Sequence, residues 1–246
     1  MSEIAIIGGT GLTSLASLEI TSREMIRTPY GEPSGPLTYG MLCDREVVFL
    51  ARHGYGHTIP PHQVNYRANL WALKESGVEH IIAIAAVGSI RRDFVPGSLV
   101  LPDQIIDYTW SRDNTFFEDG GNGVTHIDFT WPYCIEMREK LSDAAALAHI
   151  ELPATATYGA MQGPRLETAA EIDRLERDGC DLVGMTGMPE AALARELEIC
   201  YATCAVVANM AAGRGNGQIS LIDNEDNLII GMKKVGRLLE TVMPSI

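Results

Sequence analysis

The sequence predicts an α/β fold: one domain over residues 1–246, with a central, largely parallel or mixed β-sheet flanked by helices. Three observations predict it. Apolar runs at 4–7, 46–51 and 80–86, unbroken after Glu46 and His80 at the start of the last two, read as short strands covered on both faces. Segments of helical spacing stand between such runs along the whole chain. Proline and glycine are spread as punctuation, with no linker, repeat or low-complexity tract to mark a boundary.

Taken in order, the run 4–7 is a buried strand that ends in Gly8-Gly9-Thr10-Gly11. The run 46–51 is the second strand and 80–86 the third. Between these two, residues 64–75 have helical spacing and stop at Ser76-Gly77, a C-cap signal. Residues 98–102 and 154–161 read as further strands, and 134–148, 168–178 and 190–196 as helices. The apolar stretch 200–208 is a buried strand. An amphipathic helix over 224–243 closes the fold, with Asn224 its expected N-cap. Residues 113–123 form the most loop-like stretch and are expected to be a mobile excursion.

Composition narrows the function classes. The chain is 46% hydrophobic and 21% charged, an ordinary globular balance, and its formal charge is −13. A nucleic-acid reader would show a basic stripe, and none is visible. No apolar run approaches the ~20 residues that cross a bilayer, and the N-terminus lacks signal-peptide features, so neither nucleic acid nor membrane is an expected partner and the expected compartment is cytoplasmic. The cysteines (Cys43, Cys134, Cys180, Cys200, Cys204) are odd in number and lack CxxC spacing. They are expected to be reduced, mostly buried thiols rather than a disulfide frame or zinc site.

Three segments carry chemistry. Gly8-Gly9-Thr10-Gly11 follows a strand directly, where glycines let a phosphate approach and Thr10 adds a hydroxyl. A tight strand-end turn fits these residues equally well. A dinucleotide fingerprint fits poorly, because GxGxxG from Gly9 would need glycine where Ser14 stands. Arg52-His53-Gly54-Tyr55-Gly56-His57 follows the second strand, at the strand end where α/β folds place ligand groups. Surface histidines are the plain alternative; metal binding by His53, His57 and His62 lacks a neighbouring carboxylate or cysteine at ligand spacing. Ala86-Val87-Gly88-Ser89 ends the third strand and would contribute backbone N–H groups. No GxSxG occurs for a serine hydrolase.

Together these residues resemble the trimeric purine nucleoside phosphorylases. Gly8 to Gly11, Arg52-His53-Gly54, Pro60-Pro61-His62, Val64-Asn65-Tyr66-Arg67-Ala68-Asn69, Gly163-Pro164-Arg165, Gly184-Met185-Thr186 and Pro189-Glu190-Ala191 occur in that family's order. They look most like the methylthioadenosine phosphorylase branch, across nearly the whole chain. The resemblance implies the nucleoside phosphorylase fold, a homotrimer with sites near subunit boundaries, and inorganic phosphate as co-substrate without metal or organic cofactor. It implies a phosphate site of Thr10, Arg52, His53, the backbone at Ala86, and Thr186, with Met185 against the ribose. Ala85 stands where that branch carries a threonine.

The base site departs from the branch. Its Asp-x-Asp motif is here Asn209-Met210-Ala211, its Gly-Pro-x-Phe segment places Leu166 where a phenylalanine stacks, and Glu167 matches the glutamate of inosine/guanosine phosphorylases. A 6-oxopurine presents an N1–H donor and an O6 acceptor, which suit a Glu167 carboxylate and an Asn209 amide; adenine reverses that edge. Each alone has a plainer reading, Glu167 as a helix-start acid and Asn209 as a turn residue. Leu221 and Ile222 would line the sugar's 5′ end, where apolar residues suit a methylthio group, though they would serve equally as core. The expectation is phosphorolysis of 5′-methylthioinosine to hypoxanthine and 5-methylthioribose 1-phosphate, a purine-salvage reaction, with Asn209, Glu167 and His53 nearest the chemistry. A methylthioadenosine phosphorylase, a general inosine/guanosine phosphorylase, a nucleosidase and a non-catalytic nucleoside sensor are the alternatives.

Overall fold

A computed structural model describes residues 3–12, 17–118, 125–215, 217 and 221–246, with the side chains of 221–223 outside that description. Among the described residues ten strands form one mixed sheet, ordered β2 (Glu19–Glu24), β3 (Leu37–Leu42), β4 (Arg45–Ala51), β1 (Ile4–Gly8), β5 (His80–Ser89), β9 (Leu182–Gly184), β8 (Thr157–Ala160) and β7 (Gln104–Asp107), with β10 (Cys200–Met210) paired to β5 and the short β6 (Leu99–Val100) paired to β10. β1 (Ile4–Gly8), β4 (Arg45–Ala51), β5 (His80–Ser89) and β10 (Cys200–Met210) are the apolar runs of the sequence. They run parallel at the sheet's centre, β1 between β4 and β5 and β10 along β5.

Side-chain alternation divides the core. Ala5 and Ile7 face one side with Leu70 and Leu73 of α1 (Tyr66–Glu75) and with Ala191, Leu193 and Ala194 of α4 (Gly187–Glu196). Ile4 and Ile6 face the other, with Met137 and Leu141 of α2 (Ile135–Leu147) and with Val235, Leu238 and Leu239 of α5 (Leu221–Val242). Both faces are therefore covered, which is why these strands lack polar alternation. A third cluster packs Ile172 and Leu175 of α3 (Ala169–Arg177) on Val183, Cys180 and Ala211.

Four strands escape the sequence pattern: β2 (Glu19–Glu24), β3 (Leu37–Leu42), β7 (Gln104–Asp107) and β9 (Leu182–Gly184). Residues 98–102 yield only β6 (Leu99–Val100), and 154–161 only β8 (Thr157–Ala160). Three expectations are corrected. α5 starts at Leu221, so Asn224 lies inside the helix rather than at its N-cap. The stretch 113–118 is pinned, since Arg67 pairs with Asp113 and Glu118 at 2.6 Å and the Phe116 amide donates to Glu196 at 2.7 Å; residues 119–123 lie outside the described residues.

Cys134 and Cys200 form a disulfide, against the expectation of reduced thiols. Counting along the chain misses it, because the fold brings the residue before α2 beside the first residue of β10, 66 positions apart. Closing a loop of that length restricts the unfolded chain by about 4 kcal/mol in the chain-entropy picture. A Cys134→Ser/Cys200→Ser variant is expected to lose about 2–4 kcal/mol of stability, with no further change on adding reductant. Thermal unfolding with and without dithiothreitol checks this; equal midpoints for variant and oxidised parent would refute it.

Candidate active site

The site follows from where parallel strands stop. β1 ends at Gly8, and its register with β5 reaches only Ala83. β5 runs on to Ser89 with β10 along its other edge, so on the side of β1 no strand pairs with it from Ile84 to Val87, until β9 joins at Gly88 and Ser89. A cavity of about 670 Å³ occupies this crevice at the carboxyl ends of the strands, the usual ligand position of open α/β sheets. Its lining includes Thr10 after β1, Arg52 and His53 after β4, Ala86 in β5, Leu166 and Glu167 before α3, Met185 and Thr186 before α4, and Asn209 in β10. Every described member of the expected set thus borders one space. The side chains of Leu221 and Ile222 lie outside the described residues.

The first turn is tightly built. A β-carbon on Gly9 would sit 2.5 Å from the Ile84 carbonyl oxygen and 3.0 Å from Arg52 Nη1. Glycine is needed there to let the turn lie against β5 and the guanidinium.

Arg52 is 1% exposed and forms a fork with Glu190 of α4: Nε donates to Oε2 at 2.6 Å and Nη2 to Oε1 at 2.7 Å. Nη1 donates to the Ile84 carbonyl at 3.0 Å, and the Tyr201 hydroxyl donates to Glu190 Oε1 at 2.8 Å. Burial alone would depress the guanidinium's pKa, but the enclosed carboxylate lifts it above its ordinary value. Three of its five N–H groups are committed to the protein. Its charge is already balanced, so this end of the cavity offers an anion oriented N–H and O–H donors more than net charge. Glu190 is one residue whose role sequence reading missed. Its signal was a lone acid in the apolar stretch Gly187-Met188-Pro189-Glu190-Ala191-Ala192, which calls for a buried cation.

His53 Nδ1 bonds the Ile59 carbonyl at 2.8 Å. A carbonyl only accepts, so Nδ1 carries the proton and Nε2 keeps its lone pair. Burial, and then the Arg52 charge, push the imidazole pKa down to about 4, keeping it neutral at physiological pH.

At the opposite end, α3 is capped without Glu167. Thr168 is the N-cap, its hydroxyl accepting from the Glu171 amide while Glu171 accepts from the Thr168 amide. Glu167 precedes this box as a half-buried cavity residue, and burial raises its carboxyl above the usual range. The helix-start reading of Glu167 therefore gives way: Glu171 fills that role. Asn209 follows a β-bulge, for Val207 pairs with Val87 and Asn209 with Gly88, leaving Ala208 as the extra residue. Asn227 of α5 donates to the Ala208 carbonyl at 2.9 Å and steadies the bulge. The Asn209 amide donates to the Met210 carbonyl at 2.8 Å, which leaves its second N–H and its oxygen available. Met185 packs on Gly163, whose φ of +62° and contact with the thioether sulfur leave no place for a side chain. Leu166 is 45% exposed at the rim.

The chain is similar to known proteins along nearly its whole length. The chain is 52% identical over 243 residues to a probable S-methyl-5′-thioinosine phosphorylase of Pseudomonas syringae pv. tomato, covering 99% of each. It is 50% identical over 226 residues to the 6-oxopurine nucleoside phosphorylase of Pyrococcus furiosus, covering 89% of this chain and 84% of that one. Among solved structures it is similar to methylthioadenosine phosphorylase from Schistosoma mansoni in complex with adenine, with TM-score 0.94, 32% identity, and coverage of 100% of this chain and 92% of that one. The profile of the phosphorylase superfamily matches residues 3–244, and with the fold above this establishes that the chain belongs to that superfamily.

Proposed function

We propose that this phosphorylase cleaves 5′-methylthioinosine with inorganic phosphate, releasing hypoxanthine and 5-methylthioribose 1-phosphate. The observation that carries the reading is Glu167, freed from helix capping and facing the same cavity as Asn209 and the Arg52–His53 end. The names of the bacterial and archaeal relatives support a 6-oxopurine substrate.

In this reading a phosphate oxygen attacks C1′ while the C1′–N9 bond breaks through an oxocarbenium-like state. The base departs with negative charge developing over N7 and O6, which the free Asn209 N–H stabilises. The Glu167 carboxylate accepts from N1–H and holds the ring in register. Thr10, Thr186, the backbone at Ala86 and the two uncommitted Arg52 N–H groups hold the phosphate. His53 Nε2 accepts from the hydroxyl of monohydrogen phosphate. Positioning the two reactants supplies much of the rate. No metal or organic cofactor takes part, and we read the compartment as cytoplasmic and the working assembly as a homotrimer, whose mass light scattering of purified protein tests.

The test of the reaction is a panel of inosine, guanosine, adenosine, 5′-methylthioinosine and methylthioadenosine, each with and without phosphate. Fastest phosphate-dependent release from 5′-methylthioinosine is expected. Faster adenine release would make the protein a methylthioadenosine phosphorylase, and free sugar without phosphate would make it a nucleosidase.

A further inference from the structure

Arg112 lies behind the cavity, in the segment after β7, and no motif of the sequence points to it. Its Nη1 donates to the Met185 carbonyl at 2.9 Å and the Met188 carbonyl at 2.6 Å. Its Nη2 donates to the Gln162 carbonyl at 2.8 Å and the Met161 carbonyl at 3.3 Å, and Nε to Gln162 Oε1 at 3.1 Å. Nη1 also reaches the Tyr66 hydroxyl at 3.4 Å, which donates to the Pro61 carbonyl at 3.0 Å. The acceptors lead to three separate walls of the crevice, the third through the Tyr66 hydroxyl of α1. One leads into Pro164, Leu166 and Glu167, one holds Met185 and Thr186, and one is the Pro60-Pro61 turn.

No acidic side chain pairs with Arg112 in this set; its partners are four backbone carbonyls, one amide oxygen and one hydroxyl. A planar fork with fixed N–H directions suits several acceptors at set angles, which a lysine ammonium does not match. Of the groups that hold the phosphate, Arg112 bonds none of Thr10, Arg52, His53 and Ala86, while Thr186 shares the Met185 wall, next to a carbonyl that Arg112 holds.

We propose that Arg112 is a positioning residue for nucleoside recognition: it sets the spacing between the Glu167 wall and the Met185 wall and so holds the base reader in register with the ribose. The inference rests on the phosphorylase reading above. A displacement of the order of 1 Å between reacting or recognising groups costs up to about a hundredfold in rate.

The experiment compares Arg112→Met, Arg112→Lys and Gln162→Met with the parent protein. It measures kcat and KM for 5′-methylthioinosine, for methylthioadenosine and for phosphate, together with thermal midpoints. Arg112→Met is expected to raise the nucleoside KM about tenfold or more, to narrow the preference for the 6-oxo base, and to leave the phosphate KM within about threefold. Arg112→Lys should fall between the two, having a charge but no fork. Gln162→Met removes one acceptor and keeps the carbonyl contacts, so it should shift the same quantities less. It decides the matter if Arg112→Met does not fold. An unchanged nucleoside KM in Gln162→Met and Arg112→Met, or a parallel rise of both KM values with an unchanged base preference, would overturn the proposal. A parent protein without phosphate-dependent base release refutes the functional reading instead, and this inference falls with it.

Discussion

Glu167→Gln is expected to lower kcat/KM for 5′-methylthioinosine about 10- to 100-fold and to lower it much less for methylthioadenosine. In the proposed complex the carboxylate accepts from the N1–H of a 6-oxopurine; a glutamine amide matches that edge only through its oxygen and adds a donor. One mismatched buried polar group costs roughly 1–3 kcal/mol, and about 1.4 kcal/mol is tenfold. Adenine offers N1 as an acceptor, so the amide N–H suits it. The pH profile gives an independent check with a definite sign. Burial raises the Glu167 carboxyl above its ordinary range, so its proton is retained at higher pH than on a solvated glutamate. Above that pKa the carboxylate accepts and the 6-oxo base is favoured; below it the acid donates and adenine is favoured. The ratio of 6-oxo to 6-amino activity should fall as pH drops, and Glu167→Gln should flatten that limb. His53, depressed to about 4 by burial and by Arg52, titrates lower still. A ratio independent of pH in the parent protein would remove Glu167 from base recognition.

Glu190→Gln is expected to cost about 3–5 kcal/mol of stability, because it strands the Arg52 cation in the core. Arg52 is 1% and Glu190 0% exposed, so water cannot replace the lost carboxylate. For a chain of this length that corresponds to a fall in the melting midpoint of roughly 10 °C. The double variant Arg52→Met/Glu190→Met separates the two roles of the pair. An apolar replacement of both partners often restores stability, yet it also removes the donors that face the phosphate. Recovered stability with lost phosphorolysis is the expected outcome. A Glu190→Gln protein that unfolds within about 1 kcal/mol of the parent would contradict the buried-pair account.

The central sheet was legible because its strands are covered on both faces and read as unbroken apolar runs. The strands that escaped had physical reasons to do so. β2 is exposed along its whole length and carries Glu19, Ser22, Arg23 and Glu24, so it has no apolar face to read. β9 has only three residues and β7 four, too few for a period. In the site, the residues at strand ends were legible because loops after parallel strands are where ligands meet such folds. Glu190, Arg112 and Asn227 were not, for they act across the fold: their partners lie 138, 73 and 19 positions away. The disulfide escaped for the same reason.

The bulge at Ala208 has a wider consequence. Side chains in a strand alternate with period two, and one added residue reverses the phase of everything after it. In β10 the residues up to Val207 are interior packing on both sides, fixed by their neighbours. Past the phase break, position 209 answers to the ligand space instead. Substitution there is insulated from the interior, so an acid in place of the amide would change what the cavity offers a nucleobase without rebuilding the sheet.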